Sequence, residues 1–456
     1  MNAFRQNTDQ FGVYLNKLYL KNVRCFKGNH EINLNDGNNN PIQWTVILGN
    51  NNVGKTTLLR AVSLLEFFNR KKKQKVDNDF REFNLFQKYV AIDENLLFIG
   101  SELLLKDKNF LVPIKQSPST NNGFDSLFPE FYKIQRESLN LNWLENLNLT
   151  YEIKNNILYS SGFVEELNHF KLFGYGTSRM MVDSQSPLQD STQGLFDNKT
   201  LLLNVEEWLK ELHFAANNNV DGAEQRYNQV KEILCSGLLP DVIDIRIQTI
   251  PDKSSYETFP VFLTSNNWVR MVDLGYGYQA TLAWVADLAK RMFDTFPDLP
   301  NPLHGSSLVL VDEIDLHLHP EWQRKIIKYL SDLFPNVQFV VTAHSPLIIQ
   351  SADNVNLIML EKDDNPDGNG INIRQRFGSF QGWTIDEILT ELMSLGERTR
   401  SDLYLTLMED FENAILENNY EMAQNIYKHL DQILSPSSYQ RKVLQIQMSS
   451  LIPVVL

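Results

Sequence analysis

Two adjacent carboxylates follow a short apolar run in the sequence LVLVDEIDLHLHP, which spans 308–320. A run of this kind is typical of a strand that is buried on both faces of a parallel sheet. A carboxylate at the carboxyl end of such a strand lies in the crevice where α/β sheets bind ligands. In that position Asp312 is suited to hold Mg²⁺, and Glu313 is suited to orient and deprotonate a water molecule.

A glycine-rich loop follows another apolar run, at 44–49, and has the pattern GxxxxGKT. Gly49 and Gly54 allow the loop to curl its amide groups around the β-phosphate of a nucleotide. Lys55 would reach the β- and γ-phosphate oxygens, and Thr56 would bind Mg²⁺ at the start of a helix. The alternative is a glycine-containing turn before an ordinary helix, but the order strand, loop, helix favours the phosphate loop. The predicted nucleotide-binding residues here are Asn50, Asn52, Gly54, Lys55, Thr56 and Thr57.

Further candidate site residues lie at turns and strand ends. Gly275 and Gly277 lie in the turn LGYGYQ, which opens a predicted helix and is a second potential phosphate site. His344 follows an apolar strand at 339–342 and therefore also lies at a carboxyl end. Arg179 ends the sequence KLFGYGTSR, and it could lie near the nucleotide or pair with a surface acid. The sequence leaves both positions of this arginine open.

His317 and His319 raise the alternative of a transition-metal site, because they alternate with the acids of the same loop. Side chains that alternate along an extended loop point to opposite sides, which disfavours a shared metal ion. We therefore expect Mg²⁺ chemistry at the strand end and no zinc-type cluster.

The composition is that of an ordinary globular protein with an acidic surface. Hydrophobic residues make up 43% of the 456 residues, charged residues make up 21%, and the formal net charge is -14. This charge argues against a surface that coats nucleic acid non-specifically, so any DNA or RNA contact should be local or supplied by a partner. Cys25 and Cys235 are far apart and indicate neither a disulfide framework nor a zinc site. Because no signal peptide or membrane-spanning run is evident, we expect a cytoplasmic protein without membrane contact.

Alternating apolar and polar residues predict antiparallel strands beside a central α/β sheet. One pair spans 13–34, and its turn is expected at Gly28 and Asn29. Two further pairs, within 96–115 and 146–164, are expected to form an antiparallel accessory sheet. Together with the buried parallel strands, they predict an α/β fold with a mixed sheet.

Helical spacing of apolar residues predicts an insertion and a tail. One helix is expected over 321–334, directly after the acidic strand end. We divide the chain into 1–202, the first part of the α/β head with the glycine-rich loop; 203–240, a helical insertion; 241–378, the second part of the head; and 379–456, a helical tail for oligomer or partner contact.

Four motifs occur in the order of an ABC-type ATPase head: GNNNVGKTT, LGYGYQ, VLVDEIDLHLHP and VVTAHSP. The sequence resembles the prokaryotic SMC-like ABC ATPases of RecF, OLD and anti-phage defence systems, among them the Septu ATPase and its retron-associated forms. The resemblance covers nearly the whole chain, because the N-terminal strand pair and the tail that begins at Gly382 and Trp383 also look like the stand-alone members. It implies an ABC-type P-loop ATPase head that uses ATP and Mg²⁺.

The resemblance assigns roles to the two strand-end motifs. Lys55 and Thr56 belong to Walker A, and Asp312 and Glu313 belong to Walker B. Thr56 and Asp312 would hold Mg²⁺, and Glu313 would be the catalytic base.

Further roles follow from the same resemblance. Asp315 would belong to the D-loop, with His317 near it and helping to pair the subunits, and His344 would be the switch histidine that contacts the γ-phosphate. The turn with Gly275 and Gly277 would be the signature, which in such proteins faces the nucleotide of a second subunit. A γ-phosphate that bridges two subunits would make a homodimer or higher homo-oligomer depend on nucleotide state.

The sequence departs from the family pattern at two places. Where the usual LSGGQ carries a serine, this chain has Gly275, with the bulky Tyr276 and Tyr278 beside it. A glutamine loop is not evident, and Gln87 is the nearest candidate. We therefore expect slow hydrolysis and a site in which nucleotide binding is the main event.

These motifs predict the ATPase subunit of an anti-phage system, which oligomerises and controls a separate nuclease effector according to nucleotide state. Because no Toprim-type domain follows the ATPase motifs, we expect no nuclease activity in this chain. The alternative is a RecF-like repair clamp that binds DNA directly. The basic run that begins at Arg70 and ends at Lys75 favours the clamp, whereas the acidic net charge disfavours it.

Overall fold

The computed structural model describes residues 13–38, 40–63, 98–105, 108–116, 151–154, 157–160, 171–181, 191–235, 242–265, 267–363, 370–394, 399–449 and 451. The basic run at 70–75 and Gln87 lie outside these ranges. The chain divides into two compact units, Met1–Thr384 and Ile385–Leu456. Among the described helices, none has the length and apolar character that crossing a bilayer requires.

The elements are numbered in chain order within the described ranges. The strands are β1 Val13–Val23, β2 Phe26–Asn33, β3 Trp44–Gly49, β4 Phe98–Leu105, β5 Lys108–Gln116, β6 Tyr151–Lys154, β7 Ile157–Ser160, β8 Leu172–Tyr175, β9 Asp244–Asp252, β10 Ser255–Leu263, β11 Trp268–Arg270, β12 Ser307–Val311, β13 Val337–Thr342, β14 Val355–Lys362 and β15 Ile371–Gly378. The helices are α1 Lys55–Ser63, α2 Val205–Asn217, α3 Ala223–Ile233, α4 Tyr276–Thr295, α5 Pro320–Gln323, α6 Ile326–Leu333, α7 Pro346–Ser351, α8 Ile385–Glu387, α9 Asp402–Leu416, α10 Tyr420–Ile433 and α11 Tyr439–Ser449.

The central sheet has the strand order β15-β14-β3-β13-β12-β8. All its neighbouring strands are parallel except β15, which pairs with β14 in the antiparallel direction. Every residue of β12 and β13 is buried. Because successive side chains point to opposite faces of a strand, both faces of the sheet are covered at these two strands. The predicted α/β fold with a mixed sheet is confirmed, and β3, β12 and β13 end at the same edge.

The N-terminal hairpin turns earlier than the sequence suggested. Val23 pairs with Phe26, so the two residues between them form the turn, and the predicted turn at Gly28 and Asn29 is wrong. Gly28 lies inside β2 with a φ of 77°, beside a shift of register, and its amide donates to Oδ1 of Asn22 at 2.8 Å. Gly28 therefore lies at an irregularity of the strand pairing, and such an irregularity can need a positive φ as a turn does.

The antiparallel accessory sheet has the order β2-β1-β4-β5, so the predicted pair within 96–115 joins the N-terminal pair. Strands β6 and β7 form a separate antiparallel pair, so the prediction that the pairs within 96–115 and 146–164 form one sheet is wrong. A buried glutamine of β13, Gln338, joins the accessory sheet to the central sheet: its Nε2 donates to the carbonyl of Leu15 at 2.8 Å, and its Oε1 accepts from the amide of Leu15 at 2.8 Å. A buried amide that is satisfied in this way fixes the position of one sheet over the other.

The segment predicted as a helical insertion contains α2 and α3, and β9, β10 and β11 form a three-stranded antiparallel sheet after it. Helix α2 begins after Asn204, whose side chain accepts from the amide of Glu207 at 3.0 Å, as expected of an N-cap. The prediction of one helix over 321–334 is wrong, because the chain forms α5 and α6 with a break between them. At the break, the amide of Lys325 donates to the carbonyl of Trp322 at 2.8 Å, a bond tighter than an α-helical one.

The second unit is helical, as the spacing of its apolar residues predicts. Ser401 and Asn419 cap the N-termini of α9 and α10 with their side chains. The helices α9, α10 and α11 enclose a buried cluster formed by Phe411, Ala414, Ala423, Ile426, Leu430 and Leu444. This unit therefore has a small hydrophobic core of its own.

Candidate nucleotide-binding site

The loop between β3 and α1 has a backbone that only glycine fits at two positions. Gly49 has a φ of 150° and Gly54 a φ of 101°. A Cβ on Gly49 would lie 2.7 Å from the carbonyl oxygen of Leu360, and a Cβ on Gly54 would lie 2.5 Å from Sγ of Cys25. Conformation and space both require glycine here. The loop thereby brings its backbone and the N-terminus of α1 together, which is the arrangement that phosphates bind.

Lys55 is buried, with 7% of its surface exposed, and holds this loop from within. Its Nζ donates to the carbonyl oxygens of Gly49 at 2.6 Å and of Asn50 at 3.0 Å. Burial lowers the pKa of Lys55 from its ordinary value, and the nearby carboxylates of Asp312 and Glu313 act in the opposite direction. The structure therefore places a cation on the inner side of the loop, opposite two acids of the Walker B segment.

The other predicted nucleotide-binding residues of this segment differ in solvent exposure. Asn50 and Asn52 are exposed on the loop, and Asn52 has a left-handed φ of 66°. Thr57 is buried in the first turn of α1. The sequence did not distinguish these positions, because each belongs to the same short motif.

Thr56 and Asp312, the predicted Mg²⁺ ligands, are in contact. Thr56 Oγ1 donates to Oδ2 of Asp312 at 2.7 Å, and Thr342 Oγ1 donates to Oδ1 of the same carboxylate at 2.7 Å. A hydroxyl and a carboxylate provide the hard oxygen ligands that Mg²⁺ prefers, so the residues fit this ion. Among the described residues, no group of His, Cys, Asp and Glu forms a further metal-type cluster, His317 and His319 included.

Glu313, the predicted base, has an unusual backbone that is held on both sides. Its φ is 50°, a left-handed conformation that costs a residue with a Cβ about 1–2 kcal/mol. Its amide donates to Oγ1 of Thr342 at 2.6 Å, and its carbonyl accepts from Nη2 of Arg179 at 2.7 Å. Because both contacts use main-chain atoms, they fix the turn without engaging the carboxylate.

Of the two positions that the sequence left open for Arg179, the structure excludes the pairing with a surface acid and places the residue beside the candidate nucleotide site. It is 3% exposed, and it is buried against the main chain of Walker B rather than paired with a surface acid. Its Nη2 also donates to the carbonyl of Asp312 at 2.7 Å. Burial lowers its pKa to about 10, with the Asp312 carboxylate opposing that shift, so the guanidinium is charged at neutral pH. An arginine after a glycine-rich strand end was the only sequence signal for this contact.

The loops that follow β12 and β13 are joined by side chains. The amide of His344 donates to Oδ2 of Asp315 at 3.0 Å, and Ser345 Oγ donates to Oε1 of Gln323 at 2.6 Å. Gln323 Nε2 in turn donates to the carbonyl of Leu318 at 3.0 Å. The predicted switch histidine and D-loop acid are therefore neighbours, and Gln323 is a supporting residue that the sequence did not reveal. Oδ1 of Asp315 is buried without a hydrogen-bond partner among the described residues.

The predicted signature turn lies against the D-loop segment of the same chain. Gly275 is the N-cap of α4. The ring of Tyr276 meets that of His317 edge-on, with centroids 4.9 Å apart. A Cβ on Gly277 would lie 2.2 Å from the carbonyl oxygen of His317, so the two backbones approach closely. His317 thus lies beside the signature, and whether this surface faces a second subunit remains a prediction.

The two signature glycines make a matched pair for mutation. Gly277→Ala should destabilise the protein by about 1–3 kcal/mol, because the new methyl group meets the backbone of His317. Gly275→Ala should have a much smaller effect, since its Cβ would meet only Cδ2 of Tyr278 at 3.7 Å. Thermal unfolding by calorimetry measures both variants. Equal unfolding midpoints for the two would contradict the close approach.

Two family models match the chain. The model described as "AAA domain" matches residues 17–233. The model described as "AAA domain, putative AbiEii toxin, Type IV TA system" matches residues 200–350. Together they extend over both halves of the site, from the glycine-rich loop to the strand that precedes His344.

Several curated relatives are similar to the chain. It is 34% identical over 222 residues to "Septu protein PtuA" of Bacillus thuringiensis, covering 47% of this chain and 53% of that protein. It is 31% identical over 244 residues to "Retron Ec83 probable ATPase" of Escherichia coli, covering 52% and 42%. It is 23% identical over 415 residues to "Retron Vc95 probable ATPase" of Vibrio cholerae serotype O1 biovar El Tor, covering 76% and 77%. The chain spans about half the length of the first two relatives.

Among solved structures, an Smc head domain with an extended coiled coil, bound to the C-terminal domain of ScpA derived from Pyrococcus furiosus, matches with a TM-score of 0.37 and 13% identity. The match covers 81% of this chain and 97% of that chain. In the present structure, the glycine-rich loop follows a central parallel strand, and Thr56 at the start of α1 contacts Asp312, which follows β12. The chain therefore has a glycine-rich phosphate loop beside a strand-end carboxylate, matches models of AAA domains, and is similar to Septu protein PtuA and to ATPases named for retrons.

Proposed function

We propose that this chain binds ATP with Mg²⁺, hydrolyses it slowly, and uses the nucleotide state to control its assembly. The assembly would join further copies of the chain and a separate nuclease effector of an anti-phage defence system. The observation that carries the proposal is the contact between Walker A and Walker B, in which Thr56 Oγ1 lies 2.7 Å from Oδ2 of Asp312. The similarity to Septu and retron proteins supports the defence setting.

Each residue of the site has its own role in the proposed reaction. Bound Mg²⁺ supplies neutralisation of the charge on the β- and γ-phosphates. Thr56 and Asp312 would hold it, and Thr342 keeps the Asp312 carboxylate oriented by donating to its other oxygen. Lys55 would place its charge against the phosphates from inside the loop. Glu313 would orient the attacking water and accept its proton.

Slow turnover agrees with the chemistry of the signature turn. Its first position is Gly275, which offers no hydroxyl group to a γ-phosphate, and the exposed ring of Tyr276 follows it. Fewer contacts to the phosphate in the transition state mean a lower rate, whereas Walker A alone can still bind nucleotide. We infer that occupancy by ATP, rather than rapid turnover, is the signal that the assembly reads.

Light scattering of the purified full chain tests the assembly. With Mg²⁺ and ATP the mass should be a multiple of the single-chain value, and with ADP or with chelator it should return to the value of one chain. Asp312→Asn should abolish the ATP-dependent increase, because it removes the charge of a predicted Mg²⁺ ligand. Asp332→Asn is the matched control, since it removes the same charge from an exposed side chain on α6.

Two outcomes would contradict the proposal. One is a mass that does not respond to ATP in the unmodified chain, or that responds equally in Asp312→Asn. The other is strong metal-dependent DNA cleavage by this chain alone, after any effector has been removed. ATP-dependent, salt-sensitive binding of duplex DNA without an effector would instead favour the RecF-like clamp.

A further inference from the structure

Arg179 binds two consecutive main-chain carbonyl groups with a single nitrogen. Its Nη2 lies 2.7 Å from the carbonyl oxygen of Asp312 and 2.7 Å from that of Glu313. Consecutive carbonyls of a pleated strand point in opposite directions. These two converge because the chain leaves β12 at this point and Glu313 takes a φ of 50°. The guanidinium is thus bonded to the turn that carries the predicted base.

The left-handed conformation of Glu313 is unfavourable by itself, so it depends on its surroundings. Thr342 Oγ1 accepts from the amide of Glu313, and Arg179 donates to its carbonyl. The amide of Leu316 also donates to that carbonyl, at 3.0 Å. Of the two side chains, Arg179 is the one that carries a charge, and hydrogen bonds from charged donors are the stronger ones.

The same arginine lies against the helix that begins at the signature turn. Its Cζ is 5.9 Å from the ring centroid of Trp284, a fully buried residue of α4. The Trp284 ring also packs at 5.6 Å on that of Tyr175, whose hydroxyl donates to Oδ2 of Asp287 at 3.0 Å. Asp287 belongs to α4 as well. Arg179 therefore lies between Walker B and the side of α4 that is anchored to the central sheet.

We propose that Arg179 is a positioning residue for the ATPase reaction, which holds the backbone of Glu313 in its left-handed conformation and links that turn to α4. The inference rests on the proposed ATP hydrolysis. Arg179 acts through the main chain of Glu313. Its loss should therefore change the rate of the chemical step more than the affinity for nucleotide. Burial lowers its pKa only to about 10, so the link keeps its charge at neutral pH.

Steady-state kinetics with a matched set of variants tests this separation. Arg179→Met should lower kcat by about 100-fold, the scale expected of a small misplacement, while ATP affinity stays within about threefold. Arg179→Lys should be intermediate, because an ammonium group can donate to both carbonyls. The control is Arg226→Met. The Cζ atom of Arg226 lies 5.3 Å from the ring centroid of Phe293, a residue of α4 that comes after Trp284. This variant should keep the kcat of the unmodified chain.

Hydrogen exchange supplies a second readout that needs no turnover. In Arg179→Met the amides of Glu313, Ile314 and Leu316 should exchange roughly tenfold faster, because the turn loses its charged support. The glycine-rich loop should exchange as in the unmodified chain, and Arg226→Met should leave the Glu313 turn unchanged. If Arg179→Met does not fold, Arg179→Lys tests the inference instead. Its hydrogen exchange at the Glu313 turn and its kcat should both lie between those of the unmodified chain and those expected for Arg179→Met.

Several outcomes would overturn the inference. They are unchanged exchange at Glu313 in the Arg179 variants, equal losses in Arg226→Met, or a fall of ATP affinity as large as the fall of kcat. If the unmodified chain does not hydrolyse ATP, the proposed function fails. In that case, hydrogen exchange at the Glu313 turn still tests whether Arg179 holds this turn in place.

Discussion

Glu313→Gln should lower kcat for ATP by at least about 100-fold and leave the nucleotide bound. Glutamine has the shape of glutamate but cannot accept a proton from water. The contacts that hold this turn, from Thr342 and Arg179, involve only main-chain atoms of residue 313 and survive the substitution. The change therefore isolates the carboxylate. Because ATP persists, the associated form of the chain should accumulate.

Phosphate release and the nucleotide content after rapid gel filtration measure the two halves of this result. Glu417→Gln is the control, because Glu417 is exposed at the end of α9 in the second unit. Turnover at the original rate in Glu313→Gln would show that another group acts as the base. Loss of ATP binding together with turnover would show that Glu313 supports the nucleotide instead.

Lys55→Met should weaken ATP binding by roughly 10- to 150-fold, the range that corresponds to about 1.5–3 kcal/mol for a hydrogen bond to a charged group. A ligand that binds only the folded state raises its stability by RT ln(1 + [L]/Kd), so a larger Kd means a smaller gain. The thermal shift caused by ATP should therefore be largely lost in the variant. Lys328→Met, which changes an exposed lysine of α6, should keep that shift.

The pH dependence gives an independent check on Lys55. Burial lowers its pKa below the ordinary 10.5, and the protonated amine is the form that attracts phosphate. ATP affinity should therefore fall as the pH rises through this lowered pKa, before an exposed lysine loses its proton. Lys55→Met should show no such fall. An ATP affinity that is independent of pH in the unmodified chain would contradict a direct phosphate contact.

Local sequence patterns predicted the secondary structure of those parts of the site whose residues lie within one short segment of the chain. The apolar run before Asp312 and the glycine spacing around Lys55 each combine a strand, a turn and a ligand group within a few residues. Such segments carry both their periodicity and their turn chemistry with them. Their contact across the sheet edge followed, because parallel strands end at the same side.

Contacts between distant side chains and the backbone could not be predicted in this way. Arg179 and Gln338 bind carbonyl groups far away in sequence, and Gln323 accepts from Ser345 of another loop; no periodic pattern marks such a residue. The turn assigned to Gly28 failed because positive φ serves bulges as well as turns. The break between α5 and α6 was missed because helical apolar spacing continues across it.

The strand order has a consequence for the synthesis of this protein. Strand β3, which carries the glycine-rich loop, lies between β13 and β14, which come much later in the chain. Pairings between such distant segments form slowly, and until they form both edges of β3 are exposed to wrong partners. A growing chain should therefore be unable to bind nucleotide until β14 has been translated. In the cell, ATP occupancy would mark only those copies whose synthesis has passed that point.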